Sequence, residues 1–404
     1  MKIKLFLLSI GLLCIAVAQA QTVFTSGSWE EIRAKAKQEN KQIFVDLYFE
    51  GCMPCAEMDR KVFPDSTVGA LLNINFVNFK TDVFKEDIGA RLSMKYAASG
   101  FPTYLFLNAD GKAIDIVSGF TGVARFVPLL QEVMDRAGKG QWLAYDERLD
   151  MDYPDFYRKA YLERKRQVSP DTVGAFLATQ SDLSDEVSFV VMNTFRSGDQ
   201  YNRYYLDQAH ELATKYGRMP VRNRLTSLIT AEGGRLGKAK DSNAFGQLLS
   251  DLQPLFAGDE WRRFSAGFYH AYYQGSQDAQ WMLRKLETEN DTYLDWQDKS
   301  NVLASMIIDV KDQPEVLKEI DRLFAVNVDA RPNKNDLYKR ALIRLYLHDF
   351  EQAAVYAQRA LDIDHRAFVL KDEQISALLK AAKEQKTTGF EAVKATEPKP
   401  ITLD

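Results

Sequence analysis

The 404-residue sequence predicts an α/β domain with a mixed central sheet flanked by helices, followed by an all-α, repeat-like region. Three observations predict it. Over residues 28–137, short strand-like runs alternate with helical stretches and end in a hairpin plus a helix, the order of an α/β sandwich. Past Gly138-Lys139-Gly140, strand-like alternation all but stops and helical periodicity runs to about residue 385. Finally, the first apolar run, residues 43–48, halts at Glu50-Gly51. Cys52-Met53-Pro54-Cys55 follows at once, at the start of the next helix.

The first twenty residues stand outside this plan. Lys2 and Lys4 form a positive start, residues 5–17 an apolar centre and Ala18-Gln19-Ala20 a small-x-small cleavage site. Residues 1–20 therefore read as an export signal, with the mature chain beginning at Gln21. The run is short for a membrane anchor, though an uncleaved anchor is the alternative. Cys14 raises lipidation, against which stands the bulky Leu13 before it. Removing twenty residues from 404 leaves 384, enough for two or more domains. The formal net charge of −4, less the two positive charges of Lys2 and Lys4, becomes −6. That mildly acidic, mixed balance gives no case for nucleic acid. With no other long apolar run, the mature protein is expected to be soluble and exported to the periplasm.

The elements follow in order. Ser28-Trp29-Glu30-Glu31 has the form of a capping box, opening a helix to about Asn40. A strand over residues 42–48 leads to a helix over residues 52–62, broken by Pro64-Asp65-Ser66. A shorter helix covers residues 67–72. Residues 76–81 alternate as a strand, and residues 86–97 read as a helix. Pro102 precedes a β-rich run, residues 103–107. Asn108-Ala109-Asp110-Gly111 is a hairpin turn, residues 112–118 return, and a helix over residues 123–137 is closed by Gly138.

Chemistry concentrates at the two cysteines. Of three in the chain, Cys14 leaves with the leader, so Cys52 and Cys55 are the mature pair. Two cysteines are too few for a disulfide-stapled scaffold. A bond between them closes a tiny loop and adds little stability by chain entropy. In an oxidising compartment, that argues for a working pair. A helix N-terminus favours a thiolate, so Cys52 is expected to be exposed and reactive, with Cys55 one turn inward. Alternatives stay open: an inert disulfide, or copper held by Cys52, Cys55 and Met53 or Met58. A zinc site would need more ligands, and His210, His270, His348 and His365 all lie far down the chain. No metal or cofactor is expected.

Val45-Asp46-Leu47-Tyr48, Cys52-Met53-Pro54-Cys55 and Gly100-Phe101-Pro102-Thr103 together resemble the thioredoxin fold family over residues 28–137. The insertion over residues 57–72, with its Val62-Phe63-Pro64-Asp65-Ser66, makes the domain similar to the C-terminal domain of DsbD-type periplasmic carriers and to exported thioredoxin-like proteins. The resemblance implies thiol–disulfide exchange with protein thiols and disulfides through a Cys52–Cys55 disulfide. Asp46 would be the buried acid serving Cys55, and Lys80 the lysine beside it. Pro102 would be the cis-proline, with Phe101, Pro102 and Thr103 meeting an extended substrate. Gly51, Met53 and Pro54 would line the rest of the substrate site. Gly51 stands where the family has Trp and Met53 where it has Gly, which puts partner choice in doubt. Asp59 could tune the sulfurs. Oxidising members carry a His between the cysteines; Met53-Pro54 supplies no charge, which tilts the reading to a reductase or isomerase. Such a reductase would need a membrane electron donor of DsbD type. Asp46 and Lys80 have bland rivals, an edge carboxylate and a solvated strand lysine.

The second region is expected over residues 141–385, with a loose tail from residue 386. Residues 337–365 resemble a tetratricopeptide repeat: Ala341, Leu345 and Tyr346, then Asp349-Phe350-Glu351-Gln352-Ala353, Tyr356 and Ala360-Leu361. His365 stands where the repeat has Pro. A single repeat cannot bury its own face, and divergent copies are sought in residues 154–180, 185–216 and 221–252. The aromatic stretch over residues 261–273 reads as core more readily than as a peptide groove. The region would dock a protein partner or a second copy. In a rival reading the whole protein is a binding scaffold, with the first domain a docking module.

Overall fold

The computed structural model describes residues 21–288, 294–328, 332–364 and 369–396. Residues 1–20, expected from the sequence to be an export signal, His365 and the end of the tail lie outside them. The chain divides into two compact units, one ending at Leu228 and the other beginning at Ile229.

In the first unit, Ser28 caps α1 (Trp29–Glu39). Its hydroxyl accepts from the Glu31 N–H at 3.3 Å, and the Glu31 carboxylate accepts from the Ser28 N–H at 2.8 Å. β1 (Gln42–Tyr48) follows, then α2 (Met53–Lys61), α3 (Ser66–Asn75), β2 (Phe76–Asp82) and α4 (Asp87–Lys95). Asp65 caps the start of α3, accepting from Thr67 and Val68 N–H at 2.9 and 3.1 Å, and the helix runs three residues past its expected end. β3 (Thr103–Leu107), β4 (Ala113–Ser118) and α5 (Val123–Gly138) complete the domain. The sheet order is β2-β1-β3-β4, with β1 parallel to β2 and antiparallel to β3. β1 is therefore central, and Ile43, Phe44, Val45 and Leu47 are all fully buried. This is why it reads as a continuous apolar run rather than an alternating one. One core gathers Phe44, Tyr104 and Phe106 from the strands with Phe63, Leu72, Phe126 and Leu130 from the helical side.

After Gly140 the chain stays on this domain. The Leu143 N–H bonds to the Ala113 carbonyl at 2.7 Å. α6 (Asp155–Leu162), α7 (Pro170–Leu177), α8 (Glu186–Thr194), α9 (Asp199–Asp207) and α10 (Ala209–Tyr216) then pack in the same unit. The expected start at Ser169-Pro170 forms, the Ser169 hydroxyl accepting from the Thr172 N–H at 3.1 Å. α6 is tied to α4 by the Tyr157 hydroxyl, which donates to the Met94 carbonyl at 2.6 Å. Lys95, wholly buried, pairs with Glu186 on α8 at 2.8 Å.

The division between units falls within α11 (Arg218–Lys238). The second unit continues through α12 (Ser242–Leu252), α13 (Gly258–Ser276), α14 (Ala279–Thr288), α15 (Trp296–Asp309), α16 (Pro314–Val328), α17 (Lys334–Tyr346), α18 (Phe350–Leu361) and α19 (Asp372–Lys383). α11 and α13 cross at contact distance: a Cβ on Gly237 would lie 2.2 Å from the Tyr272 carbonyl oxygen. Trp261, Phe268, Tyr272 and Tyr273 are buried, as core. α17 and α18 form the helix pair expected around residues 337–365, with Ala341, Ala353, Ala357 and Ala360 fully buried where helices meet. Among the described residues, no helix is long and apolar enough to cross a membrane.

Candidate active site

The site begins where β1 stops. Asp82 ties down the turn, accepting the Glu50 N–H at 3.0 Å, and the Cys52 N–H donates to the Phe49 carbonyl at 3.1 Å. Gly51, between them, has φ +91°. An L side chain is strained there whatever the space around it, so the missing ring has a backbone reason. Gly51→Trp is expected to lower stability by about 1–2 kcal/mol, read as a lower unfolding midpoint of the oxidised protein, although a Cβ would meet nothing within 4 Å.

Cys52 caps α2, its Sγ accepting from the Cys55 N–H at 3.3 Å. Pro54 is the second residue of that helix, where a missing N–H costs nothing. Cys52 and Cys55 are joined as a disulfide with their Cα atoms 5.3 Å apart. The sequence predicts an exposed Cys52, but in this disulfide form only 6% of it is exposed, and 2% of Cys55. The sulfur that caps the helix is folded back over its first turn. Met53 is the open residue, 80% exposed.

Asp46 and Lys80 are cross-strand neighbours in the β1–β2 ladder, so their side chains leave the sheet on one face. Lys80 Nζ lies 3.2 Å from Asp46 Oδ2 and also pairs with Asp59 on α2. Asp46 is 1% exposed, and neither of its oxygens receives a well-directed hydrogen bond. Burial pushes its carboxyl up to about 6, with the Lys80 charge opposing the rise. Burial works to lower the Lys80 ammonium, but the charges of Asp46 and Asp59 prevail and hold it above its usual value. The ammonium lies 4.7 Å from the centre of the Tyr48 ring, and the rings of Phe24 and Phe63 lie at 5.6 and 5.8 Å. Lys80 is thus an enclosed cation and not a solvated head on a stem. Tyr104, opposite Asp46 on β3, is fully buried, and burial holds its hydroxyl well above the usual tyrosine range.

The Phe101–Pro102 peptide is cis. The Pro102 carbonyl accepts from the Gly119 N–H at 2.8 Å, and the Thr103 hydroxyl donates to the Gly100 carbonyl at 2.6 Å. Thr103 is 2% exposed, so its side chain braces the loop from within. Phe101 packs on Phe49 at 5.6 Å between ring centres, which sets it beside the Cys52 turn.

The structure therefore brings Asp46, Lys80 and Asp59 together, and sets Phe101 on Phe49 at the turn that leads into Gly51, Cys52 and Met53. Sequence reasoning missed Tyr104, Phe49 and Phe84. Phe84 is 39% exposed and packs on both Phe49 and Phe101. Strand register could have found Tyr104. Nothing in the sequence pairs Phe84 with Phe101, which lie seventeen positions apart across a helix.

Comparison with known proteins agrees with this geometry. The thioredoxin-like domain family matches residues 29–134. Over 99 residues the chain is 32% identical to the thiol:disulfide interchange protein DsbD of Yersinia pestis, a span of 24% of this chain and 16% of that protein. The DsbD of Colwellia psychrerythraea is 29% identical over 112 residues, 27% of this chain and 18% of that protein. That of Vibrio vulnificus is 31% identical over 105 residues, 25% of this chain and 17% of that protein. The chain thus spans less than a fifth of the length of these curated relatives.

Proposed function

We propose that the protein is a thiol–disulfide oxidoreductase acting on partner proteins, as a reductase or isomerase more than as an oxidase. The observation that carries this is the Cys52–Cys55 disulfide placed on the first turn of α2, where the helix N-terminus stabilises a thiolate at Cys52. In the reducing direction, the Cys52 thiolate attacks a partner disulfide and forms a mixed disulfide. Cys55, deprotonated, then attacks the Cys52 sulfur, closing the Cys52–Cys55 bond and releasing the partner as a dithiol. Asp46 takes the Cys55 proton; a buried carboxyl raised to about 6 is matched to that task. Phe101, Pro102, Met53 and Pro54 receive the partner segment. Among the described residues, neither backbone group of Phe101 has a hydrogen-bond partner, which leaves them for an extended substrate strand.

Residues 1–20 export the chain, and a DsbD-type membrane carrier returns its electrons. The helical region from residue 141, tetratricopeptide-like at residues 337–365, docks partner proteins or a second copy. The test is the reduction potential of the Cys52–Cys55 pair, by equilibration in redox buffers followed by thiol alkylation and mass measurement. A value near about −270 mV is expected, and one near about −120 mV would make the protein an oxidant. A pair still oxidised well below about −300 mV would be structural, and the exchange reading would fall.

A further inference from the structure

We infer that the loop following α6 is a wall of the Cys52 site, and that its Arg164 selects partner segments carrying a carboxylate close to the attacked cysteine. This rests on the exchange reading above. Phe49, Phe84 and Phe101 pack with ring centres 5.3 to 6.3 Å apart at the turn that carries Cys52. The three rings form an apolar rim at that turn, and Met53, next to Cys52, is open.

Arg164 reaches this rim from outside the α/β domain. Its guanidinium lies 4.3 Å from the centre of the Phe84 ring and donates to the Phe84 carbonyl at 2.9 Å. Its backbone has φ +58° just past the end of α6, the left-handed position that closes the helix, with the Lys165 N–H donating to the Lys159 carbonyl at 3.1 Å. One of five guanidinium N–H groups goes to Phe84, on a side chain that remains exposed.

Of the neighbouring charges, Lys165 pairs with Glu163 at 2.7 Å, Glu50 with Lys85, and Arg91 with both Asp87 and Asp150. The buried Asp82 carboxylate is taken up by the Glu50 and Phe84 N–H groups. Arg166, two residues on, adds a second guanidinium, over the Tyr161 ring at 5.4 Å. A strand laid along the Phe101 backbone would place one side chain on Phe84 and Met53 and a nearby one against Arg164. The occupant that fits is an extended, disulfide-bearing protein segment with an apolar residue and an Asp or Glu within ~2–3 positions of its cysteine.

The test uses the mature chain, reduced with dithiothreitol and desalted, in single turnover. The two substrates are peptides of one length, each with an internal disulfide and the same apolar residue, bearing Glu or Lys two positions after the cysteine. Two electrons pass from the Cys52–Cys55 dithiol to the peptide S–S bond. The two thiol protons end on the peptide cysteines, and the Cys52–Cys55 disulfide closes. At low salt the Glu peptide is expected to react about two- to tenfold faster than the Lys peptide, with the ratio shrinking towards one in high salt. Arg164→Glu should invert the preference, while Lys139→Glu, the same charge change at the end of α5, should keep it. Equal rates for both peptides, or a ratio that Arg164→Glu does not move, overturn the inference. Should that variant not fold, the salt dependence of the wild type and the ratio in Arg164→Gln decide. Uncharged 2-hydroxyethyl disulfide separates the two claims: no reaction with it or with either peptide overturns the exchange reading itself, whereas reaction without charge preference overturns only the wall.

Discussion

Asp46→Asn is expected to stabilise the folded protein at pH 7 while slowing its disulfide exchange. The sign follows from the carboxyl, which burial raises from 3.8 to about 6. Between those values the folded state holds a proton that the unfolded chain has released. Stability from the neutral acid is therefore complete below about pH 4 and is lost as the pH rises through about 6. A rise of this size corresponds to at most about 3 kcal/mol. Asparagine cannot ionise, so its gain over wild type should be near zero at pH 4 and grow to roughly 2–3 kcal/mol by pH 7. Urea unfolding of the oxidised proteins across that range reads it. A gain independent of pH, or a loss at pH 7, would show that Asp46 is not held as a strained buried acid. In the exchange assay the same substitution should slow release of the mixed disulfide, because Cys55 loses its proton acceptor, and should leave its formation by Cys52 less affected.

The cost of carrying Asp46 is intelligible only with Lys80 and Asp59. Lys80 stays charged, since the two carboxylates outweigh its burial, and the Tyr48, Phe24 and Phe63 rings keep its head in place. Asp59 is half exposed. The row Asp46–Lys80–Asp59 therefore leads from a buried carboxyl towards solvent, with the Lys80 charge shared between the two acids.

Much of the first domain was legible because its signals are local. The Ser28 capping box, the run of β1, the Asn108–Gly111 turn and the glycine at the end of α5 each depend on neighbours within a few residues. The cysteines were legible for the same reason, since their spacing already places them on one helical turn. What stayed hidden depends on register and on distant chain. A lysine in a strand reads as solvated until β2 is laid parallel to β1 and the residue opposite it proves to be Asp46. Cys52 reads as open until its sulfur is seen capping its own helix. Arg164 sits in a charged, turn-like stretch that looks like any surface loop, and eighty positions separate it from Phe84. The helices after Gly140 look separable by composition, because nothing in a sequence shows that Lys95 will be buried against Glu186.

That pair carries the second large prediction: Glu186→Ala should cost the first unit about 3–5 kcal/mol. Lys95 is fully buried and Glu186 nearly so. Glu186 Oε1 also accepts from the Tyr153 hydroxyl at 3.1 Å, and Oε2 from the Asp146 N–H at 2.6 Å. Burial already pulls the Lys95 ammonium below its usual value, with Glu186 opposing, so removing the carboxylate strands a cation and two further donors. The double change Lys95→Met with Glu186→Leu should recover part of the loss, because no charge is left buried, but not the share due to Tyr153 and Asp146. A double-mutant cycle by urea unfolding measures both. The consequence should reach the active site, since Lys95 ends α4 and six residues later the chain enters the Phe101–Pro102 bond. Met94 on the same turn is held by Tyr157. Amide exchange over residues 96–101 should therefore quicken in Glu186→Ala more than in β1, at a denaturant concentration where both proteins remain folded. A cost below about 1 kcal/mol with unchanged exchange would mean that the helices are merely appended. The expected result would mean that α6 and α8 are built into the support of the substrate loop, and that cutting the chain at residue 140 removes part of the catalytic domain itself.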